Sequence, residues 1–296
     1  MVLSIIVCTY NRKSFAKLCL ESIIKQVNLN TEKKIEIILI DNNSSDNTNQ
    51  IIEELKNSYK ITYHLEKNQG ISFARNKGIE LSKGEFIAFV DDDAVINDGW
   101  LDALINAIKT IPTVCFGGPI YPKFESECPK WIDQSYFIRS YKKTDGFINN
   151  ITARTGFAGG NMCIHKSVFK KVGTFNISLG MKGSSLGLGE EPEFFYRIFK
   201  SYQDKKLYNL NMMSITHFEA NQKIEKKYLK ERIVLSGLQF SFKNIKDQGM
   251  LGLLIILLKI LKQSFDILIY LIANNKFRYL KSLWKIKGLI KGIFSK

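Results

Sequence analysis

Cysteine is scarce in this sequence of 296 residues, and its pattern excludes two classes of protein. There are five cysteines, an odd number, and none stands in a CxxC or Cys/His spacing. A disulfide scaffold and a structural zinc site are therefore not expected. We predict reduced thiols in a cytosolic protein.

A leader peptide and a membrane span are also missing from the sequence pattern. The opening residues, MVLSIIVCTYNR, have no basic start before a short apolar run, so we predict no signal peptide. The most apolar stretch, residues 250–273, is interrupted by Lys259, Lys262 and Asp266. A lysine near the middle of a span costs about 2.5–3.5 kcal/mol. The sequence therefore predicts no transmembrane helix.

Acidic residues are outnumbered, with 28 Asp and Glu against 43 Lys and Arg. The imbalance is concentrated near the C-terminus, because residues 223–296 hold 16 basic and 4 acidic residues, a net charge of +12 out of +15. This asymmetry indicates two regions with different surroundings, a larger domain over 1–222 and a basic region over 223–296. No nucleic-acid motif is present, so we expect no nucleic-acid partner.

The first 110 residues alternate between short apolar runs and segments with helical spacing. The apolar runs LSIIVC, IEIILI, KITYHLE and EFIAFV predict four strands, and helical segments lie between and after them. This alternation predicts an α/β fold with a Rossmann-like, mainly parallel central sheet and helices on both faces. Asp46 is the expected N-cap of the helix after the second strand.

From residue 111 the rhythm changes. Strands are predicted over 114–122 and 156–165, a glycine-rich loop over 178–189, and a helix over 190–203. Further on, the apolar residues of 250–273 recur at three- and four-residue steps with lysines opposite, and the lysine-rich stretch 277–296 repeats this spacing. The sequence therefore predicts a C-terminal amphipathic helical tail.

Polar residues follow the predicted strands of the first half. Thr9 and Tyr10 follow the first strand, Asp41 the second, and the aspartates at 91–93 the fourth. Ligands of an open parallel sheet bind beyond the carboxyl ends of its strands, so these residues are expected at one edge.

The three consecutive aspartates suggest a cation site. Side chains alternate along an extended chain, so Asp91 and Asp93 are expected on one side and Asp92 on the other, where it would be replaceable. Two carboxylates on one side suit Mg²⁺ or Mn²⁺ shared with substrate phosphates. The alternative is a solvated acidic turn before a helix.

Six stretches then occur in an informative order: SIIVCTYNR, EIILIDNNSSDNT, NQGISFARNKGI, GEFIAFVDDDAVINDGWL, GFAGGNMCIHKSVFKKVGTFN and LGLGEEPEFFYRIF. Together they resemble the family 2 inverting glycosyltransferases with a GT-A fold, over roughly residues 3 to 217. The resemblance implies a nucleotide-sugar-binding half over 1–110 and an acceptor-binding half over 111–222.

The resemblance also implies roles for individual residues. It implies contacts to the nucleotide from Thr9, Tyr10, Asp41 and Arg75. It implies that the cation, Mn²⁺ or Mg²⁺, is held by Asp93, Asp91 and His217, with Asp91 alternatively on the ribose and His217 alternatively on the pyrophosphate.

An inverting transfer further needs a general base that takes the proton of the acceptor hydroxyl. The family's base is usually the aspartate of a Glu-Asp pair at a helix start, whereas this sequence has Glu190 and Glu191. We interpret Glu191 as the base and keep Glu190 as the alternative, although both could merely complement the helix N-terminus. Gly160 and Asn161 are expected near a sugar. Trp131 is expected either to stack on a sugar ring or to anchor a core.

The resemblance implies a hexosyltransferase that uses a nucleotide-diphosphate sugar, with a UDP-sugar favoured, and a lipid-linked or growing polysaccharide acceptor. The lysine-rich amphipathic tail favours peripheral attachment to the anionic inner face of the cell membrane. For the tail, the alternatives are packing on the protein or in a homodimer. For the whole chain, they are a sugar nucleotidyltransferase or an inactive membrane-binding module.

Overall fold

The computed structural model describes residues 3–30, 35–140, 142–148, 156–183, 187–202 and 207–295, without the side chain of Lys243. Two compact units are present: Met1–Lys123 with Phe137–Phe218, and Phe124–Tyr136 with Glu219–Lys296. The predicted division of the chain at residue 223 stays a prediction. Of the loop predicted over 178–189, residues 184–186 lie outside the described residues.

The first unit is built around an eight-stranded sheet. Its strands are β1 (Leu3–Thr9), β2 (Ile35–Asp41), β3 (Ile61–Leu65), β4 (Phe86–Asp91), β6 (Cys115–Gly117), β8 (Gly146–Phe147), β9 (Asn161–His165) and β10 (Leu207–Asn209). A second, three-stranded sheet has β5 (Ala94–Ile96), β7 (Ile120–Phe124) and β11 (Ile215–Glu219). The helices are α1 (Lys13–Leu29), α2 (Gln50–Leu55), α3 (Ile71–Leu81), α4 (Trp100–Thr110), α5 (Lys166–Val172) and α6 (Glu190–Ser201).

The strand order of the large sheet is β3-β2-β1-β4-β9-β6-β10-β8. The first four strands of this order are parallel, and β9 runs antiparallel to both β4 and β6. The predicted α/β fold with a mainly parallel central sheet is confirmed. Strands β1, β2 and β4 are buried along nearly their whole length, which is why they appear in the sequence as continuous apolar runs.

Hydrophobic cores lie on both faces of this sheet because successive side chains of a strand point to opposite faces. Val7 packs in one cluster with Leu20 of α1 and Leu104 of α4. Ile6 packs in the other with Ile79 of α3 and Phe194 of α6. Each fully buried aliphatic side chain contributes about 1.5–3 kcal/mol to folding, so the helices are fixed firmly against the sheet.

The predicted capping role of Asp46 is wrong. Helix α2 begins after Asn49, which makes no side-chain cap. One carboxylate oxygen of Asp46 instead accepts a hydrogen bond from the backbone N–H of Lys13, at 2.8 Å. Asp46 therefore satisfies an N–H in the first turn of α1, a helix whose own N-cap residue, Arg12, makes no side-chain cap.

The second unit contains α7 (Lys226–Ile272) and α8 (Lys276–Ile293). Helix α7 breaks at Gly249, whose φ of 53° and ψ of −125° are not helical. In a continuous helix Asn244 and Gly252 would lie about 12 Å apart. Here a Cβ added to Gly252 would lie 2.0 Å from the carbonyl oxygen of Asn244, and the Lys259 ammonium lies 3.8 Å from the centroid of the Phe240 ring. The two arms, residues 226–248 and 250–272, therefore fold back on one another as a helical hairpin.

The predicted C-terminal helices are present, but the fold-back at Gly249 is not apparent from the periodicity. Among the described residues, no helix combines the length and the hydrophobicity that a membrane span requires.

Candidate functional site

The register of the parallel strands brings the predicted polar residues to one edge of the sheet. Thr9 pairs with Asp41 across β1 and β2, and Cys8 pairs with Asp91 across β1 and β4. The ends of β1, β2 and β4 therefore lie side by side, and the residues after them share one edge.

The acidic triplet turns rather than continuing as a strand. Strand β4 ends at Asp91, and Asp92 and Asp93 form a turn before β5. One carboxylate oxygen each from Asp91 and Asp93 and one ring nitrogen of His217 lie within 4.8 Å of one another. His217 reaches this place because β11 pairs with β5 and puts His217 opposite Ala94, the residue after Asp93.

These three side chains form a suitable donor set for a divalent cation. The Nε2 atom of His217 lies 3.0 Å from Oδ1 of Asp93, and both residues are buried. The two carboxylate oxygens suit Mn²⁺ or Mg²⁺, and the imidazole nitrogen is a further possible ligand. Close carboxylates in a buried place repel one another, and a divalent cation between them would offset this repulsion.

Asp92 also has a role that the alternation argument did not predict. Nη1 of Arg12 lies 3.1 Å from Oδ1 of Asp92 and 2.8 Å from Oδ2 of Asp93. Burial raises the pKa of Asp92 to about 6, although the positive charge of Arg12 acts in the opposite direction. Asp92 is thus a buried, ion-paired residue rather than a solvated turn residue.

Arg75 joins the acidic triplet to the start of α6. Its side chain is 5% exposed, and its guanidinium lies 3.8 Å from Asp91, 3.3 Å from Glu190 and 3.4 Å from Glu191. Burial by itself would lower the pKa of Arg75, and the surrounding carboxylates reverse this effect and raise it above the ordinary value. One arginine therefore holds the three carboxylates together.

Glu190 and Glu191 both lie in the first turn of α6 but in different environments. The side chain of Glu190 is 8% exposed and that of Glu191 is 25% exposed. Burial, assisted by the neighbouring charge of Glu191, raises the pKa of Glu190 to about 7. Oε1 of Glu191 accepts a hydrogen bond of 3.2 Å from the backbone N–H of Gly159.

The two glycines of the segment GGN allow the backbone to approach this cluster. A Cβ on Gly160 would lie 2.0 Å from a carboxylate oxygen of Asp91. A Cβ on Gly159 would lie 2.1 Å from Nη2 of Arg75 and 2.4 Å from Oε1 of Glu191. Any side chain at either position would displace the charged groups, so these glycines help to shape the site.

Asn161 is 1% exposed, and its amide is fully engaged. Its Oδ1 accepts a hydrogen bond of 3.0 Å from the indole of Trp100. Its Nδ2 donates to the carbonyl oxygens of Met213, at 2.7 Å, and of Pro119, at 3.2 Å. In this structure Asn161 ties the start of α4 to the loops that contain Pro119 and Met213. A direct contact of Asn161 with a sugar stays a prediction.

Asp41 is buried at the other end of the site, where the nucleotide contacts are predicted. Its Oδ2 accepts a hydrogen bond of 2.9 Å from the Tyr63 hydroxyl, and its Oδ1 accepts one of 2.8 Å from the backbone N–H of Ser44. Thr9 is buried and Tyr10 is half-buried. Sequence reasoning missed Tyr63, and the only signal for it is its place on β3, the strand paired with β2.

Trp131 lies in the second unit, whereas the other predicted site residues lie in the first. Its ring centroid is 6.0 Å from that of Phe277, which is 1% exposed. The structure thus shows Trp131 packing within the second unit, and stacking on a sugar stays a prediction.

The raised pKa of Glu190 has a consequence for stability. The folded state prefers the protonated acid, so the stabilisation is fully present below the ordinary value of 4.5 and is lost as the pH rises through about 7. Glutamine cannot ionise. We therefore expect Glu190→Gln to gain stability relative to the native protein, by on the order of 2 kcal/mol, between about pH 5 and pH 8. Urea unfolding of both proteins at both pH values measures this. If the difference in unfolding free energy between Glu190→Gln and the native protein is the same at the two pH values, the prediction is contradicted.

Comparison with known proteins agrees with this geometry. The sequence profile described as Glycosyl transferase family 2 matches residues 4–173, more than half of the chain. The chain is 24% identical over 213 residues to the glucosyl-dolichyl phosphate glucuronosyltransferase of Haloferax volcanii, covering 71% of this chain and 67% of that protein. It is 39% identical over 124 residues to the GalNAc(5)-diNAcBac-PP-undecaprenol beta-1,3-glucosyltransferase of Campylobacter jejuni, covering 41% of this chain and 39% of that protein.

Solved structures show the same fold. The mannosyltransferase PcManGT from Pyrobaculum calidifontis, in complex with GDP-Man and Mn²⁺, superposes with a TM-score of 0.61 at 16% identity. The superposition includes 99% of this chain and 87% of the PcManGT chain. TarS 1-349 of S. aureus, in complex with UDP-GlcNAc, has a TM-score of 0.58 at 18% identity and covers 95% of this chain and 90% of its own. From the matched profile and the shared architecture, the chain belongs to glycosyl transferase family 2 and has the GT-A fold.

Proposed function

We propose that this protein is a cation-dependent inverting glycosyltransferase that moves a sugar from a nucleoside-diphosphate donor to an acceptor hydroxyl. The observation that carries the proposal is the set of carboxylates around Arg75. Asp91 approaches Arg75 from the end of β4, beside Asp93 and His217, while Glu190 and Glu191 approach it from the start of α6. The predicted cation ligands and the predicted base therefore lie on either side of the same arginine, Arg75.

On the donor side, Asp91, Asp93 and His217 would hold Mn²⁺ or Mg²⁺, whose charge would offset the negative charge of the departing nucleoside diphosphate. Thr9, Tyr10 and Asp41 are proposed to bind the nucleotide. Asp41 is already oriented by Tyr63 and by the backbone N–H of Ser44, so its carboxylate is fixed in position.

On the acceptor side, Glu191 is proposed as the general base. A base must touch the hydroxyl whose proton it removes, and Glu191 is the more accessible of the two glutamates. Arg75 and the N–H of Gly159 fix its position. Glu190 is then a positioning residue that shares Arg75 with Glu191.

The stereochemistry of the product tests the inverting mechanism. A nucleotide sugar that the protein accepts as donor is incubated with the full chain and a saccharide acceptor. The anomeric configuration of the first product is then read from its proton coupling constant by NMR. Inversion relative to the donor is expected, because Glu191 activates the acceptor for a single displacement from the opposite face. Retention of configuration would contradict the proposal.

The acceptor is proposed to be lipid-linked or a growing polysaccharide. The names of the two relatives above carry dolichyl phosphate and undecaprenol. The donor is proposed to be a nucleoside-diphosphate sugar, with a UDP-sugar favoured, because TarS binds UDP-GlcNAc with the same fold. PcManGT binds GDP-Man, so the identity of the nucleotide, uridine or guanosine, has to be determined by testing a panel of nucleotide sugars.

The second arm of α7 supports attachment to a membrane. Eleven large apolar side chains of this arm are at least 45% exposed: Met250, Leu251, Leu254, Leu257, Leu258, Leu261, Phe265, Leu268, Ile269, Leu271 and Ile272. The inner side of the arm is mixed: Ile256 is fully buried there, Lys259 lies over the Phe240 ring, and Gln263 and Asp266 are half-buried. The arm thus turns its apolar face outward, which is the orientation of a helix that lies in a lipid interface.

The charge of the same region favours lipid over a second copy of the chain. Residues 223–296 carry a net charge of +12, and apposing two such regions would bring like charges together. An anionic lipid surface is instead attracted by this charge. We therefore propose peripheral attachment to the inner face of the cell membrane, with the outward face of residues 250–272 inserted among the acyl chains.

Introducing a charge on this face is expected to weaken binding to vesicles. Leu261→Glu should reduce co-sedimentation of the full chain with phosphatidylglycerol-containing vesicles about tenfold or more, since burial of one leucine contributes about 1.5–3 kcal/mol. Leu261 is 66% exposed, so the change should leave thermal unfolding unaltered.

The matched control is Leu18→Glu on α1, a leucine that is 45% exposed in the first unit. This variant should bind vesicles like the native protein. Equal binding by Leu261→Glu and the native chain would contradict the membrane assignment. A lipid-free dimer that Leu261→Glu converts to a monomer would assign the face to self-association.

A further inference from the structure

Arg12 has no part in the roles proposed so far, yet it contacts two of the three aspartates. Its Nη1 atom lies 2.8 Å from Oδ2 of Asp93 and 3.1 Å from Oδ1 of Asp92. The side chains of Asp92 and Asp93 are 7% and 9% exposed, while that of Arg12 is 41% exposed. An arginine at the rim therefore offsets part of the negative charge of two buried carboxylates.

The turn that carries Arg12 is fixed by its neighbours. Asn11 has a φ of 52°, and its backbone N–H donates to the Ser44 hydroxyl at 2.9 Å. Oδ1 of Asn11 accepts a hydrogen bond of 2.7 Å from the backbone N–H of Ser45, and Asp46 binds the N–H of Lys13. Since these bonds lie on both sides of Arg12, they fix its backbone without a cation, and from this position its guanidinium reaches Asp92 and Asp93.

The two carboxylate oxygens of Asp93 face different partners. Oδ2 of Asp93 faces Arg12, and Oδ1 faces Nε2 of His217 within the predicted ligand set. Asp91 has a positive neighbour of its own in Arg75. The buried charge of Asp92 and Asp93 is thus partly compensated by Arg12 before any cation arrives. The positive charge of Arg12 also repels a cation that binds at Oδ1 of Asp93.

We propose that Arg12 is a resident counter-charge that keeps the acidic turn folded in the cation-free protein and lowers the affinity of the site for its divalent cation. The inference rests on the cation role proposed above. Removal of Arg12 is therefore expected to have two opposite effects. The cation-free protein becomes less stable, and the cation binds more tightly. The tighter binding also enlarges the stabilisation that a given cation concentration produces.

The test combines thermal unfolding in chelator with Mn²⁺ binding measured by electron paramagnetic resonance. In Arg12→Gln, we expect a lower melting temperature in chelator and a Mn²⁺ dissociation constant at least about fivefold smaller than in the native chain. Arg12→Lys keeps the charge and should bind Mn²⁺ like the native chain. Lys17→Gln, in the helix that follows Arg12, removes a partner of Glu54 and should change neither quantity.

The double variant Arg12→Gln with Asp92→Asn removes one charge of each sign. Both quantities should return part of the way toward the native values, because Asp92→Asn removes one of the two carboxylates that lose Arg12 and leaves Asp93 as the other. If Arg12→Gln alone does not fold, the same two measurements are made on this double variant and compared with the native chain.

The outcomes separate the inference from the proposed function. Mn²⁺ affinity that is unchanged or weaker in Arg12→Gln, or a double variant that does not recover, would overturn the counter-charge role. If the native chain does not bind Mn²⁺ at all, the cation site itself is wrong and the inference fails with it.

Discussion

Asp93→Asn is expected to reduce glycosyl transfer by about a thousandfold or more while leaving the protein folded. Oδ1 of Asp93 faces His217 in the ligand set and Oδ2 faces Arg12, so this carboxylate is the centre of the cation site. Asparagine keeps the shape but removes the charge. Loss of cation assistance to the leaving group is worth several kcal/mol, and each 1.36 kcal/mol corresponds to about a tenfold change in rate.

Turnover of the donor at a fixed, high Mn²⁺ concentration measures this effect, with Mn²⁺ binding and thermal unfolding recorded alongside. Asp98→Asn is the matched control, because Asp98 lies on the same segment with a side chain that is 90% exposed. It should retain native turnover. Turnover in Asp93→Asn within about threefold of native, at unchanged Mn²⁺ affinity, would remove Asp93 from the cation site.

Glu191→Gln is expected to lower transfer by about a hundredfold to ten-thousandfold, the range of general-base catalysis. The amide can still accept the hydrogen bond from the N–H of Gly159, but it cannot take a proton from the acceptor. Donor and Mn²⁺ binding should therefore be unchanged, so that the loss appears in the maximal rate. Single-turnover transfer at saturating donor and acceptor measures it.

Two other glutamates of the same helix turn give the controls. Glu193 is 26% exposed on its side chain, nearly the same as Glu191, and it pairs with Arg197, so Glu193→Gln should keep most of the activity. Glu190→Gln should have an intermediate effect through Arg75. If Glu190→Gln loses more activity than Glu191→Gln, the base is Glu190.

The sequence predicts the sheet and most of its functional edge for physical reasons. Strands buried on both faces have continuous apolar runs, so β1, β2 and β4 are recognisable. Parallel strands end at the same edge of a sheet, so the positions of Asp41 and Asp91 at two strand ends are enough to predict that they lie near each other.

Residues brought in by distant pairing could not be predicted in this way. His217 joins Asp93 because β11 pairs with β5, a contact between segments more than a hundred residues apart, and only the family resemblance indicated it. Arg12 and Tyr63 carry no local signal, since an arginine after a strand and a tyrosine within one are ordinary. Their roles depend on register and turn geometry.

The helical tail shows a different limit of sequence reasoning. Periodicity identifies an apolar stripe over 250–272 but does not say whether the stripe faces protein or solvent. The structure resolves this because Gly249 reverses the chain and the side of the second arm that carries Ile256 and Lys259 packs inward, which leaves the apolar stripe exposed. A glycine in a helical pattern is compatible with either a continuous helix or a break.

The most direct test of cation-dependent glycosyl transfer is the release of nucleoside diphosphate from a panel of nucleotide sugars by the full chain in the presence of a saccharide acceptor, with Mn²⁺, with Mg²⁺ and with a chelator. We expect that one class of donor releases nucleoside diphosphate, that chelator abolishes the release, and that added cation restores it. Release that is equally fast in chelator would contradict the cation role of Asp91, Asp93 and His217. In a parallel reaction with a nucleoside triphosphate and a sugar 1-phosphate, release of pyrophosphate would instead identify a sugar nucleotidyltransferase and contradict glycosyl transfer.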